Sequence, residues 1–340
     1  FGDMFGGYPV VDEKALLKET VRRVIVGQGN RFIKELLRDR KLPIGSTKAD
    51  FSTNLMKAID DGALTVMDVE SWLVEVEGWG NQHIYFFKAP DIDPTTVRAV
   101  MAASPLAALV GAQGAMVFPD ELQLSTIDVQ DNGVLFAWHR GNDRWIHVPT
   151  KDQRRVEDGD LWEYRAFRQR SNRTVVRFEW RFDLPYCSIM MQLPNEGTIH
   201  TDCLKTVWEA VSEAGLVEAA TPSVPLTNAV NALSGSVAGV KATGRKMQAE
   251  GAYLDMVSTV QDVSISQVEA LRAANGAIDP TKFHSADGRF RLDVAQHGTL
   301  SRTLGFDISG GAGRARIAVQ CLRHDIHYLS DLIWERNVAP

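Results

Sequence analysis

Residues 173–182 alternate without a break. Arg173, Val175, Arg177, Glu179 and Arg181 fall on one side, and Thr174, Val176, Phe178, Trp180 and Phe182 on the other. A period of two with one largely apolar side is the pattern of a strand in a half-buried antiparallel sheet, so an all-helical fold is excluded. Strand-like runs at His83–Lys88, Leu135–Arg140, Arg144–Val148, Leu161–Arg170 and Tyr186–Leu193 extend that sheet. Gly141-Asn142 and Ser171-Asn172 read as two-residue hairpin turns, the first joining Leu135–Arg140 to Arg144–Val148, the second joining Leu161–Arg170 to Arg173–Phe182.

Before residue 80 the period changes. Apolar residues recur at helical spacing over Asp12–Val26, Arg31–Arg40, Lys48–Asp60 and Val66–Glu75, punctuated by Gly27, Pro43, Gly45 and Gly62. Leu36, Leu37, Phe51 and Leu55 are the expected core of the second and third helices. Further helices are expected from Asp93-Pro94 to Ala103 and over Asp202–Ala214, with Trp208 and Val211 facing inward. Residues 219–251 are rich in Ala, Ser, Thr, Gly and Pro and read as a connection with one helical piece. The tail shows a helix at Ser266–Ala274, strands at Phe290–Val294, Arg302–Ile308 and Arg314–Cys321, and a last helix to Arg336, with Gly310–Gly313 as a hairpin turn rather than a phosphate loop. The expected fold is α+β: a helical unit (1–80), a central antiparallel sheet with flanking helices (81–218), a connecting segment (219–261) and a small β-rich unit with a terminal helix (262–340). A chain of 340 residues is long enough for two or three domains.

Net charge is −6, which by itself disfavours a nucleic-acid partner, but the charge is unevenly placed. Between Glu13 and Lys57, eleven basic residues face five acidic ones, so this stretch carries +6 and the remainder −12. Within it lies Glu35-Leu36-Leu37-Arg38-Asp39-Arg40-Lys41-Leu42-Pro43-Ile44-Gly45-Ser46-Thr47-Lys48-Ala49-Asp50-Phe51, continuing to Leu55. Leu42-Pro43, Gly45, Lys48, Phe51 and Leu55 hold the spacing of the SAP domain, which this segment resembles over about a tenth of the chain. Lys41 stands where that family usually has Gly. The resemblance implies a helix–loop–helix that docks on duplex DNA.

Physical reasoning points the same way. A helix starting at Ser46-Thr47 offers backbone N–H groups and the positive end of its dipole to an anion. Lys48, in the first turn, opposes that dipole and would be favourable beside a phosphate. Lys34, Arg38 and Lys41, spaced by four and three, share one face. The expected nucleic-acid contacts are therefore Lys34, Arg38, Lys41, Gly45, Ser46, Thr47 and Lys48, with Lys14, on another helix, mattering less. The alternative is a solvated basic face on a helical hairpin. The exposed face of the pair carries few aromatics, which favours duplex over single-stranded DNA.

A second basic surface is expected on the sheet, from Arg165, Arg168, Arg170, Arg173, Arg177 and Arg181, with Arg154 and Arg155 upstream. The alternative is an ordinary exposed sheet face whose arginines pair with Glu163 and Glu179. His324 and His327 with Cys321 and Asp325, and His200 with Asp202 and Cys203, lack a recognised metal spacing. Asp120 and Asp128 faintly echo a nuclease carboxylate pair but lack the accompanying Lys. Three distant cysteines argue against a disulfide framework, so a reducing, intracellular setting is expected, cytoplasmic or nuclear. No apolar run is long enough for a membrane span, and Phe1–Gly7 lacks the pattern of a secretory signal.

The function expected from these residues is a non-catalytic DNA-binding adaptor or scaffold needing no cofactor, its acidic remainder engaging proteins. Competing expectations are a metal-dependent nuclease targeted by the same helices and a protein-interaction subunit without DNA contact. The overall layout, helices then mixed sheet then strands and a last helix, is also similar to the centromere protein N family, which would imply a chromatin-bound scaffold.

Overall fold

The computed structural model describes residues 12–112, 114, 116–192, 197–235, 237–259, 263–277, 279, 282–283 and 285–338. Four helices come first: α1 (Glu13–Arg23), α2 (Asn30–Asp39), α3 (Lys48–Asp60) and α4 (Val66–Val76). Then follow β1 (Gln82–Lys88), α5 (Val97–Ala103), β2 (Gln123–Gln130), β3 (Gly133–His147), β4 (Gln153–Glu157), β5 (Asp160–Tyr164), β6 (Phe167–Arg181), β7 (Tyr186–Met191), α6 (Gly197–Glu213), α7 (Thr227–Leu233), β8 (Val240–Ala249), β9 (Ala252–Val257), α8 (Glu269–Ala277), β10 (Ser285–Leu292), β11 (Leu304–Ser309), β12 (Arg314–Ile317) and α9 (Arg323–Val338). The class is α+β, as expected.

Ten strands form one sheet in the order β2-β3-β6-β7-β1-β12-β11-β10-β8-β9, and β4-β5 stand apart as a two-stranded ribbon. Three expectations are corrected here. The Gly141-Asn142 and Ser171-Asn172 hairpins do not exist, because β3 and β6 each run straight through for 15 residues. Gly141 is there for a close approach: a Cβ on it would lie 2.3 Å from the Phe118 ring. The polar residues nearby are used across the strands, where Asp143 accepts from Gln169 Nε2 at 2.9 Å and from the Ser171 side chain. The true hairpin turn is Asp158-Gly159, both residues at positive φ (53° and 90°), joining β4 to β5. The segment 219–261 is not mere connection, for besides the expected helical piece, α7, it contains the β8–β9 pair at the sheet's edge. The C-terminal strands do not form their own sheet either, since β12 pairs with both β11 and β1.

Contacts divide the chain into two compact units. One holds Phe1–Val74, Gln113–Gln123 and His139–Thr174; the other holds Glu75–Ala112, Leu124–Trp138 and Val175–Pro340. In the first, Leu36, Leu37, Phe51 and Leu55 are fully buried, as expected, and they share a core with Leu17, Val21, Ile25, Leu64 and Leu73, so four helices rather than two surround it. In the second, one sheet face packs Ile84, Phe86, Met190, Phe290, Phe306 and Ile317 under α7 and α9. On the opposite face Trp208 of α6 lies edge-on to Phe87 and Phe178, at centroid distances of 5.0 and 6.0 Å.

The odd-numbered residues of β6 in the second unit face α9 rather than solvent. Glu179 is 6% exposed and accepts from Arg323 Nη2 at 2.9 Å, while His327 Nε2 sits 2.9 and 3.0 Å from its two oxygens. An ionised carboxylate only accepts, so the imidazole must donate. Burial pushes the Glu179 carboxyl up, but His327 and Arg323 outweigh it and hold the carboxyl at about 2. A group lowered on folding stabilises the fold above its unfolded value and ceases to do so as pH falls through its folded one. This contribution is therefore intact above about pH 4.5 and is lost as pH falls toward 2. Glu179→Gln takes the counter-charge from half-buried Arg323 and weakens the acceptor of His327, and is expected to cost roughly 1.5–3 kcal/mol. Denaturant unfolding of the variant should show that loss at neutral pH and a flattened acid limb.

Candidate nucleic-acid interface

α2 ends where Arg38 N–H bonding gives way to a tight reversal. The Lys41 amide donates to the Arg38 carbonyl at 2.9 Å and the Leu42 amide to the Leu37 carbonyl at 2.7 Å, the pair of bonds of a Schellman turn. That turn requires a left-handed residue, and Lys41 supplies it at φ 54°. The departure from Gly at this position thus changes the residue without changing the turn. Pro43 then carries the chain outward, its carbonyl receiving Asn54 Nδ2 from α3 at 2.7 Å.

The start of α3 is closed by its own side chains. The Asp50 carboxylate accepts from the Ser46 and Thr47 amides, both at 2.9 Å, while the Asp50 amide donates to Thr47 Oγ1 at 3.1 Å. These bonds make a reciprocal capping box, and they hold the Asp50 carboxyl below its ordinary value. The Ser46 and Thr47 amides expected to meet an anion are therefore already taken by Asp50. Gly45 is needed because a Cβ there would lie 2.1 Å from Asp50 Cβ. Lys48 is engaged as well: its ammonium donates to the Gln28 carbonyl, and burial lowers its pKa. It ties α3 to the turn after α1 and is not presented outward.

Ion pairs sort the remaining cations. Asp60, Asp61 and Asp68, just beyond the most basic stretch, pair with Lys18, Lys57 and Arg40. Glu19 pairs with Arg22 and Arg23, and Glu35 with Arg31. Lys14 donates to the Asp60 carbonyl at 3.0 Å. Among the described residues Arg38 and Lys41 make no ion pair and are exposed. Lys34, one turn back, has its ammonium 6.0 Å from the centre of the Phe51 ring and likewise makes no ion pair among the described residues.

The second basic surface does not assemble. Arg177 lies on the Trp79 ring at 4.3 Å and donates to the Glu77 carbonyl, and Arg181 pairs with Asp331. Arg173 donates to the Val117 carbonyl at 2.6 Å. Arg165, Arg168 and Arg170 are exposed, but β6 is one strand, so Arg168 and Arg170 alternate away from Arg173. The two histidine clusters are structural: His200 Nδ1 meets the Tyr85 hydroxyl at 2.7 Å, His327 holds Glu179, and Cys321 Sγ donates to the Trp79 carbonyl. Among the described residues no group of three His, Cys, Asp or Glu is placed to hold a metal, and Asp120 and Asp128 belong to different units. Sequence reasoning missed Trp162 and Tyr164 on the ribbon, although Asp158-Gly159 was the signal for it.

No family model and no curated protein matches this chain. The SAP-like reading therefore stands on its own residues. Gly45→Ala is expected to force Asp50 out of the cap and cost the helical unit about 1–3 kcal/mol. Lowered helicity with early proteolysis between α2 and α3 would show it.

Proposed function

We propose that the helical unit docks on duplex DNA through the end of α2, and that the protein is a non-catalytic DNA-binding adaptor. The observation carrying this reading is the sorting of charges: Arg38 and Lys41 are exposed and, with half-buried Lys34, make no ion pair among the described residues, whereas neighbouring cations are neutralised by carboxylates. Cations held without partners around a rigid turn suit phosphate oxygens, which position a protein without reading bases. Since the cap of α3 is filled by Asp50, side chains rather than helix amides make these contacts. The acidic remainder of the chain is proposed to engage proteins.

Lys41→Gly separates binding from stability. Glycine relieves the left-handed φ, so the variant should be more stable by roughly 1 kcal/mol. It also removes one phosphate contact, so duplex affinity should fall for all sequences alike. The slope of log affinity against log salt should shrink by about 0.9 for Lys41→Gly and by about the same again on adding Arg38→Ala. Unchanged affinity and slope in the folded double variant would remove the proposed docking face.

A further inference from the structure

The β4–β5 ribbon leaves large apolar side chains in solvent on both faces. Val156 is 71% exposed, Leu161 68%, Trp162 54% and Tyr164 43%. Solvent-facing apolar groups clustered this closely mark interaction sites on most soluble proteins. The register places Arg155 opposite Trp162 and Gln153 opposite Tyr164, so Arg155, Trp162 and Tyr164 share one face. The Arg155 guanidinium lies 5.8 Å from the centre of the Tyr164 ring. Trp162 makes no ring contact among the described residues.

Two aromatic rings two residues apart on one strand face are spaced by about 7 Å, and the Tyr164 hydroxyl donates to Glu157 Oε2 at 2.8 Å. Carboxylates gather at the turn, on Glu157, Asp158 and Asp160, whereas toward the root Lys151, Arg154, Arg155, Arg165, Arg168 and Arg170 outnumber Asp152 and Glu163, the latter pairing with Arg154 and Arg165 at 3.9 and 4.0 Å. The root is clamped: Asp152 accepts from the Ala166 amide at 2.9 Å and from His147 Nε2, and the Val148 amide donates to the Ala166 carbonyl. The ribbon is thus a fixed arm with a basic, aromatic root and an acidic tip.

We infer that this arm binds single-stranded nucleic acid, stacking bases on Trp162 and Tyr164 while Arg155, on the same face, takes a phosphate. Stacking needs only π-faces and tolerates any base. The polarity of the arm favours this occupant over a protein surface, because a polyanion matches the root and is repelled from the tip, which seats the strand across the root. The site is separate from the end of α2 and does not depend on duplex docking.

The test is fluorescence anisotropy of the full chain with labelled oligothymidylate and oligouridylate, to distinguish DNA from RNA. Trp162→Ala and Tyr164→Ala should each weaken binding of the preferred strand roughly 5- to 100-fold. Trp162→Phe, which keeps a stacking face, should restore most of it. Lys41→Gly with Arg38→Ala should leave single-strand binding within about twofold, so failure of the duplex reading and failure of this one are told apart. Because Trp162 and Tyr164 are exposed, the variants should keep the wild-type circular dichroism. The inference is overturned by wild-type protein that binds neither oligonucleotide, by Trp162→Ala binding as well as wild type, or by ribbon variants that abolish a dimer in sedimentation without changing oligonucleotide affinity.

Discussion

A carboxylate buried in the sheet must be paired, and the pairing of Glu179 with His327 and Arg323 organises the second unit. An unpaired charge at this depth would be prohibitively costly. Satisfying it brings α9 onto β6 and turns the odd-numbered row of that strand inward. Arg177 then lies on Trp79, and Arg181 meets Asp331, which also accepts from the Tyr186 hydroxyl at 2.6 Å. Cations that look in the sequence like a phosphate-tracking face are thereby spent on internal contacts.

In the first unit the decisive constraint is again a carboxylate. Asp50 fills the start of α3, and Gly45 lets the loop come close enough for it to do so. The loop between the helices is rigid as a result, and the α3 dipole is answered internally. Lys48 is drawn to Gln28 and out of play. The cations that remain exposed without an ion pair among the described residues on α2 and its Schellman turn are Arg38 and Lys41, the docking face proposed above.

Much of this was legible in the residues. Helix periodicity located α3 to the residue and the others within a few positions, because Ser46-Thr47, Gly62 and the apolar spacing all agree there. The alternation in β6 gave a true strand and a true core face, but it could not say what covers the opposite face, since only tertiary packing brings His327 and Arg323 within reach of Glu179. Gly141 and Asn172 misled because a glycine placed for the Phe118 ring and polar residues bonded across strands carry the same letters as turn residues. The β8–β9 pair was hidden by its composition: Ala, Gly, Lys and Asp have weak strand preference, and β8 is held in place by β10. At the proposed site, charge spacing singles out Lys34, Arg38 and Lys41, whereas the Asp50 and Gln28 bonds that engage Ser46, Thr47 and Lys48 depend on loop geometry.

Amide hydrogen exchange of the full chain, with and without a short DNA duplex at low salt, addresses the central claim without altering any residue. Docking through the helical unit predicts slowed exchange confined to the end of α2, the loop and the first turn of α3, residues 36–50, with the sheet strands β8 to β12 unchanged. Protection on those strands with residues 36–50 unaffected would contradict the account.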